Sequence, residues 1–134
     1  MNQIGKPVLR EEDLRLLQGH GRYTDDVNAL GQAHAFVLRS PIAHANILSI
    51  DTVNAKNSKG VLAILTGKDL VKRNLGGLKP GFAGQRSDGK PGFVCSQPLL
   101  AQERVRFTGE PVAFIIAETL NEAKDAAELI FVDY

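Results

Sequence analysis

The sequence contains no tryptophan and only one cysteine, Cys95. A lone cysteine cannot close an internal disulfide, so the chain is not a disulfide-stapled secreted scaffold, and an intracellular setting is the default. No apolar run approaches the ~20 residues that a membrane-spanning helix requires. The opening "MNQIGKPVLREEDLRLL" lacks the apolar stretch of a signal peptide. An excess of one charge is missing too. Sixteen Lys and Arg against fifteen Asp and Glu leave a net +1, which gives no electrostatic reason to expect nucleic acid or an anionic membrane as partner. The expectation is a cytoplasmic protein. Neither an H-x-x-x-H nor a C-x-x-C spacing occurs, and His20, His34 and His44 fall on separate segments, so a zinc site has little basis.

What remains is enough for one core. The chain has 134 residues, 43% hydrophobic and 23% charged, a balance typical of a globular domain. At this length roughly two-thirds of the unfolded surface can be buried without staples. Residues 1–9 show no periodicity and read as an extended arm, with a single domain over 10–134.

"REEDLRLLQGHG" predicts a short helix. Acidic residues crowd its first turn, where the helix dipole favours them, Leu14 and Leu17 share a face, and Gly19 suits a left-handed stop. "GRYTDD" is a polar turn. "QAHAFVLRS" and "NILSID" read as strands, the second with Leu48 and Ile50 on one face. A weak helical turn follows in "TVNAKNSKG". Residues 61–66, "VLAILT", are apolar throughout, as in a strand covered on both faces. A short helix over about 68–72 leads to the Gly/Pro-rich stretch 76–92, a long loop.

"RVRF" sets Val105 and Phe107 on one face of a half-exposed strand, and "VAFIIA" at 112–117 is a buried strand. Thr119 and Glu122 have the spacing of a capping box for a final helix, with Leu120, Ala123, Ala127 and Ile130 on one face. "FVDY" starts another strand where the sequence stops, so the chain reads as a fragment. The last strand, helix and strand have the lengths of a right-handed crossover. Alternating strands and short helices place the fold in α+β or α/β.

Few residues offer chemistry. Glu110 lies in "TGEP", between a glycine that permits unusual backbone angles and a proline suited to the first position of a strand. The segment is a corner, either a tight hairpin or a kink in a strand that changes sheet. Glu110 then faces solvent or accepts from nearby backbone amides. A general acid or base needs a positioned partner, and the local sequence supplies none. Cys95 has no visible base or helix amino terminus to activate its thiol. The Gly-rich stretch has no Gly-Lys-Ser/Thr and so does not make a phosphate cradle. Asp25 and Asp26, beside Arg22 and Tyr23, are too few oxygen donors for a hard cation. They form a hydrogen-bonded turn or, since Arg and Tyr are favoured at contacts, an interface.

Four stretches taken in order carry a resemblance: "REEDLRLLQGHGRYTDDV", "AFVLRSPIAHANILSIDT", "GVLAILTGKDL" and "PLLAQERVRFTGEPVAFIIAETLNEAKDAAELIFVDY". Together they resemble the amino-terminal part of the large subunit of molybdenum hydroxylases, the family of xanthine dehydrogenase, aldehyde oxidase and aerobic carbon-monoxide dehydrogenase. The resemblance runs from about Leu9 to Tyr134, and its most specific parts are Gly21–Asp26, Arg39–Ala45 and Arg104–Ala117. His20 and the long, polar Gly/Pro loop depart from the pattern.

The resemblance implies an α+β fold, the α/β-hammerhead, with a bent β-motif and short helices on the sheet. It implies a whole enzyme that hydroxylates a carbon centre of an aldehyde or N-heterocycle, or oxidises CO. Such an enzyme uses molybdopterin, with [2Fe-2S] clusters and FAD in partner domains or subunits. It implies no catalytic, cofactor-binding or metal-binding residue within 1–134, because the family's cofactor loops and catalytic glutamate lie in later domains. The expected task is structural: bracing the molybdopterin-binding domains of the same large subunit and helping to form the face that meets the iron–sulfur partner. Arg22, Tyr23, Asp25 and Asp26 are the candidate interface residues. If Met1 is the natural start, the iron–sulfur and flavin components are separate subunits. Separated from its partners, the fragment is expected to be inactive and has reason to self-associate, by exposed apolar surface or through residues 131–134. A competing reading is a carrier or small-molecule module, because lipoyl and biotinyl carriers have a similar bent β-motif. Lys68 would then be the modified lysine.

Overall fold

The structure is a computed structural model that describes residues 4, 5, 7–82 and 84–134. Part of the predicted arm, Met1 to Gln3 and Lys6, lies outside the described residues. The internal contacts divide the chain into two units that meet at Gln32/Ala33.

In the first unit, α1 spans Asp13–Leu17 and ends at Gly19, whose φ of 74° supplies the expected left-handed stop. A 3-10 turn follows at Thr24–Asp26. No described residue of this unit is buried, and the Leu14–Leu17 stripe is exposed. Its ion pairs, Arg10–Asp13 at 3.7 Å and Arg15–Glu12 at 3.6 Å, are solvent-exposed and contribute little.

The second unit is built on β1 (His34–Arg39), β2 (Ala45–Asn46), β3 (Ser49–Asp51), β4 (Val61–Thr66), β5 (Arg104–Val105), β6 (Pro111–Ala117) and β7 (Phe131–Asp133). Its helices are α2 (Val53–Lys56), α3 (Gly67–Lys72) and α4 (Leu120–Glu128). The main sheet has the order β1-β6-β4, and every pairing in it is antiparallel. Two ribbons, β2-β5 and β3-β7, complete the unit.

β6 is the central strand, as its apolar run predicts. Its alternate residues Ala113, Ile115 and Ala117 are fully buried and share a core cluster with Ile64 and with Ala123, Ala126, Ala127 and Ile130 from α4 and just beyond it. Alanines let α4 lie close on the strands. Thr119 caps that helix by accepting from the Glu122 amide at 3.2 Å, and its hydroxyl donates to the Glu122 carboxylate at 2.8 Å. A second cluster, Ala101, Val105 and Val112, sits under the ribbon β2-β5. Ile50 and Val132, paired across β3 and β7, pack against both clusters and join them.

Several sequence expectations are corrected. "NILSID" is two strands, because Ile47 donates to the Glu103 carbonyl while Leu48 donates to the Asp133 carbonyl. The chain changes partner between those residues, and Leu48 is left exposed. β4 is not covered on both faces. It is an edge strand, the irregularity between Val61 and Ala63 turns Leu62 outward, and only Ile64 is buried. β5 stops at Val105, so Phe107 leaves the face that Val105 occupies and is exposed. On α4, Leu120 is exposed and Ala126 takes its place on the buried face. The carboxy-terminal segments form no parallel crossover, since β7 pairs antiparallel with β3 and not with the main sheet. One edge of the strand at 131–133 is therefore occupied within the chain.

The Gly/Pro stretch has more order than a loop. Bridges Leu78–Gln97 and Gln85–Pro91 make it an antiparallel finger. It turns at Gly89, whose φ of 77° only glycine adopts without strain.

α3 is locked at its start by Asp69, whose carboxylate accepts from the Thr66 hydroxyl at 2.7 Å and the Thr66 amide at 2.8 Å. The Thr66 hydroxyl bond, then the amide bond, hold the Asp69 carboxyl below its ordinary pKa; partial burial opposes them, and Lys56 and Lys72 assist. A depressed carboxyl stabilises the fold above its unfolded pKa and loses that contribution as pH falls through the folded value. Asp69→Asn should therefore cost ~1 kcal/mol at pH 7 in urea unfolding. The gap from wild type should shrink below about pH 4. An equal gap at pH 7 and pH 3 would remove the carboxylate from this account.

Candidate functional site

Among the described residues, the one buried carboxylate belongs to Glu110, 3% exposed. Between β5 and β6 the backbone turns at Gly109, with φ of 91°, and Pro111 opens β6. One oxygen of Glu110 accepts from the Arg106 amide, and the other from the Arg106 guanidinium at 3.3 Å. Ser40 fastens the corner from the facing strand. Its amide donates to the Glu110 carbonyl at 2.9 Å, and its carbonyl accepts from the Gly109 amide at 2.8 Å. Arg39 adds a bond to the Gly109 carbonyl at 2.8 Å. β5 and β6 lie in different sheets and do not pair, so "TGEP" closes no hairpin; a turn in which the Glu110 amide donates to the Phe107 carbonyl at 3.2 Å carries the chain from one sheet to the other. Each carboxylate oxygen of Glu110 thus accepts a hydrogen bond from Arg106, and the side chain is buried.

The "GRYTDD" turn holds itself together. The Tyr23 amide donates to Asp26 Oδ2 at 2.8 Å, and the Asp26 amide to the Tyr23 carbonyl at 3.0 Å. Arg22, Tyr23, Asp25 and Asp26 are all exposed, with the Tyr23 residue 67% accessible. The turn gathers a guanidinium, a phenol and two carboxylates over five residues and buries none of them.

The other residues singled out in the sequence do not converge. His20 and His44 are exposed, His34 is half-buried at the start of β1, and Cys95 is exposed on the returning limb of the finger. Lys68 sits in the first turn of α3 and not at a hairpin tip, which removes the geometry the carrier reading needs. Among the described residues, no group of three or more His, Cys, Asp and Glu side chains is close enough to hold a metal ion. Nor do the described residues include a helix long and apolar enough to cross a membrane.

Two concavities escaped the sequence reading. A polar cleft of about 470 Å³ lies between the end of α3 and the finger's base, where Arg106 and Glu103 oppose each other in charge. An apolar groove of about 310 Å³ runs over the main sheet, lined by Val37, Leu65, Leu70, Leu99 and Phe114 among others. The signal for the groove was present in β6. Val112, Phe114 and Ile116 are as apolar as the residues that alternate with them, so that strand needs cover on both faces.

A bent strand pair, a three-stranded antiparallel sheet backed by an alanine-rich helix and a braced carboxylate corner define a mixed α+β domain of the hammerhead class. The chain belongs to the family described as aldehyde oxidase and xanthine dehydrogenase, a/b hammerhead domain, which matches residues 18–134. It is 40% identical over 129 residues to the nicotine 6-hydroxylase large subunit of Paenarthrobacter nicotinovorans, covering 96% of this chain and 15% of that one. It is 43% identical over 125 residues to the carbon monoxide dehydrogenase large chain of Afipia carboxidovorans, covering 93% and 14%. Among solved structures, quinoline 2-oxidoreductase from Pseudomonas putida 86 superposes with a TM-score of 0.80 at 41% identity, over 97% of this chain and 16% of the other. The chain thus spans about a seventh of the curated relatives it matches.

Proposed function

We propose that this chain is the structural and subunit-interface domain of a molybdenum-dependent hydroxylase large subunit, with residues 1–9 an arm and 10–134 the hammerhead. The observation that carries the reading is the match of nearly the whole chain, at 40–43% identity, to large subunits of which it makes up about 15%. The relatives' names point to N-heterocycles, aldehydes or CO as the substrate class. The whole enzyme would be cytoplasmic. It would bind molybdopterin in other domains of the large subunit and pass electrons to [2Fe-2S] clusters and FAD in partner domains or subunits. Glu110 then serves by holding the corner, and the exposed Arg22–Asp26 turn serves as contact surface toward the iron–sulfur component.

The full-length polypeptide tests this. It should carry molybdopterin and hydroxylate an aldehyde or N-heterocycle, or oxidise CO. Arg22→Ala combined with Tyr23→Ala should reduce the iron–sulfur partner that copurifies while leaving molybdenum content unchanged. Unaltered copurification would return the turn to solvent, and a full-length chain without molybdopterin would end the reading.

A further inference from the structure

The main sheet is fully covered on one face and only partly on the other. On the covered side Ala113, Ile115 and Ala117 of β6 meet α4. On the other face Val112 is sealed by the second cluster, but the residues beyond it are not. Register sets Val37, Phe114 and Leu65 in one cross-strand row and Ala35, Ile116 and Ala63 in the next. All six are apolar, and none is fully buried. Leu70, Leu99 and Leu100 extend the first row into the groove, with Pro111 and Arg39 at one end.

The lining includes no carboxylate, amide or hydroxyl side chain, and its one charge, Arg39, already donates to the Gly109 carbonyl. A polar or ionic ligand would lose its hydration here and find no partner. An apolar protein surface loses nothing of the kind. A partly covered apolar face of this sort marks a contact site. The same fold in the matched structures is embedded in chains more than six times longer, of which it covers 15–16%.

Resting on the large-subunit reading, we propose that the Val37–Phe114–Leu65 face is the docking surface for an apolar element from the remainder of the same large-subunit polypeptide. That element closes the sheet as its second covering layer.

Single cysteines test it. Leu70→Cys and Leu99→Cys, each made with Cys95→Ser, are labelled with a maleimide in the 134-residue chain and in the full-length polypeptide, and circular dichroism identifies any variant that fails to fold. Labelling should be fast in the short chain and slower by roughly tenfold or more in the long one, where reaction waits on local opening. Equal rates would overturn the proposal. So would protection in the short chain accompanied by a doubled mass in sedimentation, which would give the face to a second copy. Molybdenum content, read on the same full-length protein, separates the two failures. Cofactor present with the face open contradicts the docking alone, whereas absent cofactor contradicts the large-subunit reading.

Discussion

Replacing Ile115 with alanine should destabilise the chain by ~2–5 kcal/mol, the range for removing a buried branched side chain and leaving a cavity. Ile115 is fully buried on the central strand, paired with Phe36 on one side and Ile64 on the other. It shares a cluster with Ala123, Ala126 and Ala127. Those alanines have no longer side chain to swing into the gap, and α4 already lies close on the sheet, so the site collapses poorly. Domains of this kind have ~5–15 kcal/mol in total, so the loss is a large part of the whole. Urea unfolding should show a lower midpoint with an unchanged slope. Leu62→Ala, on the exposed side of β4, should stay within about 0.5 kcal/mol. Similar effects from the two substitutions would mean that the core does not sit between β6 and α4.

Glu110→Gln should cost ~1–3 kcal/mol through weakened hydrogen bonds to a charged group in a buried site. The amide keeps the volume, but it can accept through one oxygen only, while Glu110 uses two toward Arg106. Arg106 is half-exposed and rehydrates when its partner is neutral, which keeps the loss below that for stranding a buried charge. The second readout separates brace from catalyst. In the full-length enzyme, turnover per bound molybdenum should be unchanged by Glu110→Gln at temperatures where the variant is folded. A loss of turnover by orders of magnitude with the melting temperature intact would make Glu110 a catalytic group.

The elements that could be read from the sequence are those whose signals are local. Pro111 lacks an amide proton and stands at the start of β6, and Thr119 caps α4 through the spacing that predicted it. Gly109 and Pro111 declared a corner, but not which corner, because hairpin and kink place the same demands on those two residues. What separates them is Ser40, seventy residues away, bonding across the bend. The split of "NILSID" was illegible for the same reason, since Ile47 and Leu48 each answer to a distant carbonyl. β4 misled because an unbroken apolar run reads as double cover, whereas its position at the sheet edge leaves Leu62 outside. The Arg22–Asp26 turn was legible as a polar turn, and its amide bonds are local. The apolar groove over Phe114 is assembled from β1, β4, β6 and the segments after β4 and before β5, so no single stretch announces it.

On the proposed function, these residues shape a reaction centre whose chemistry other parts of the enzyme supply. The direct measurement takes the purified 134-residue chain, quantifies bound pterin and molybdenum, and assays oxidation of an aldehyde, an N-heterocycle and CO with an artificial electron acceptor. The account predicts no stoichiometric cofactor and no turnover with any of the three. Stoichiometric molybdopterin on the chain, or unaided turnover of any of these substrates, would contradict it.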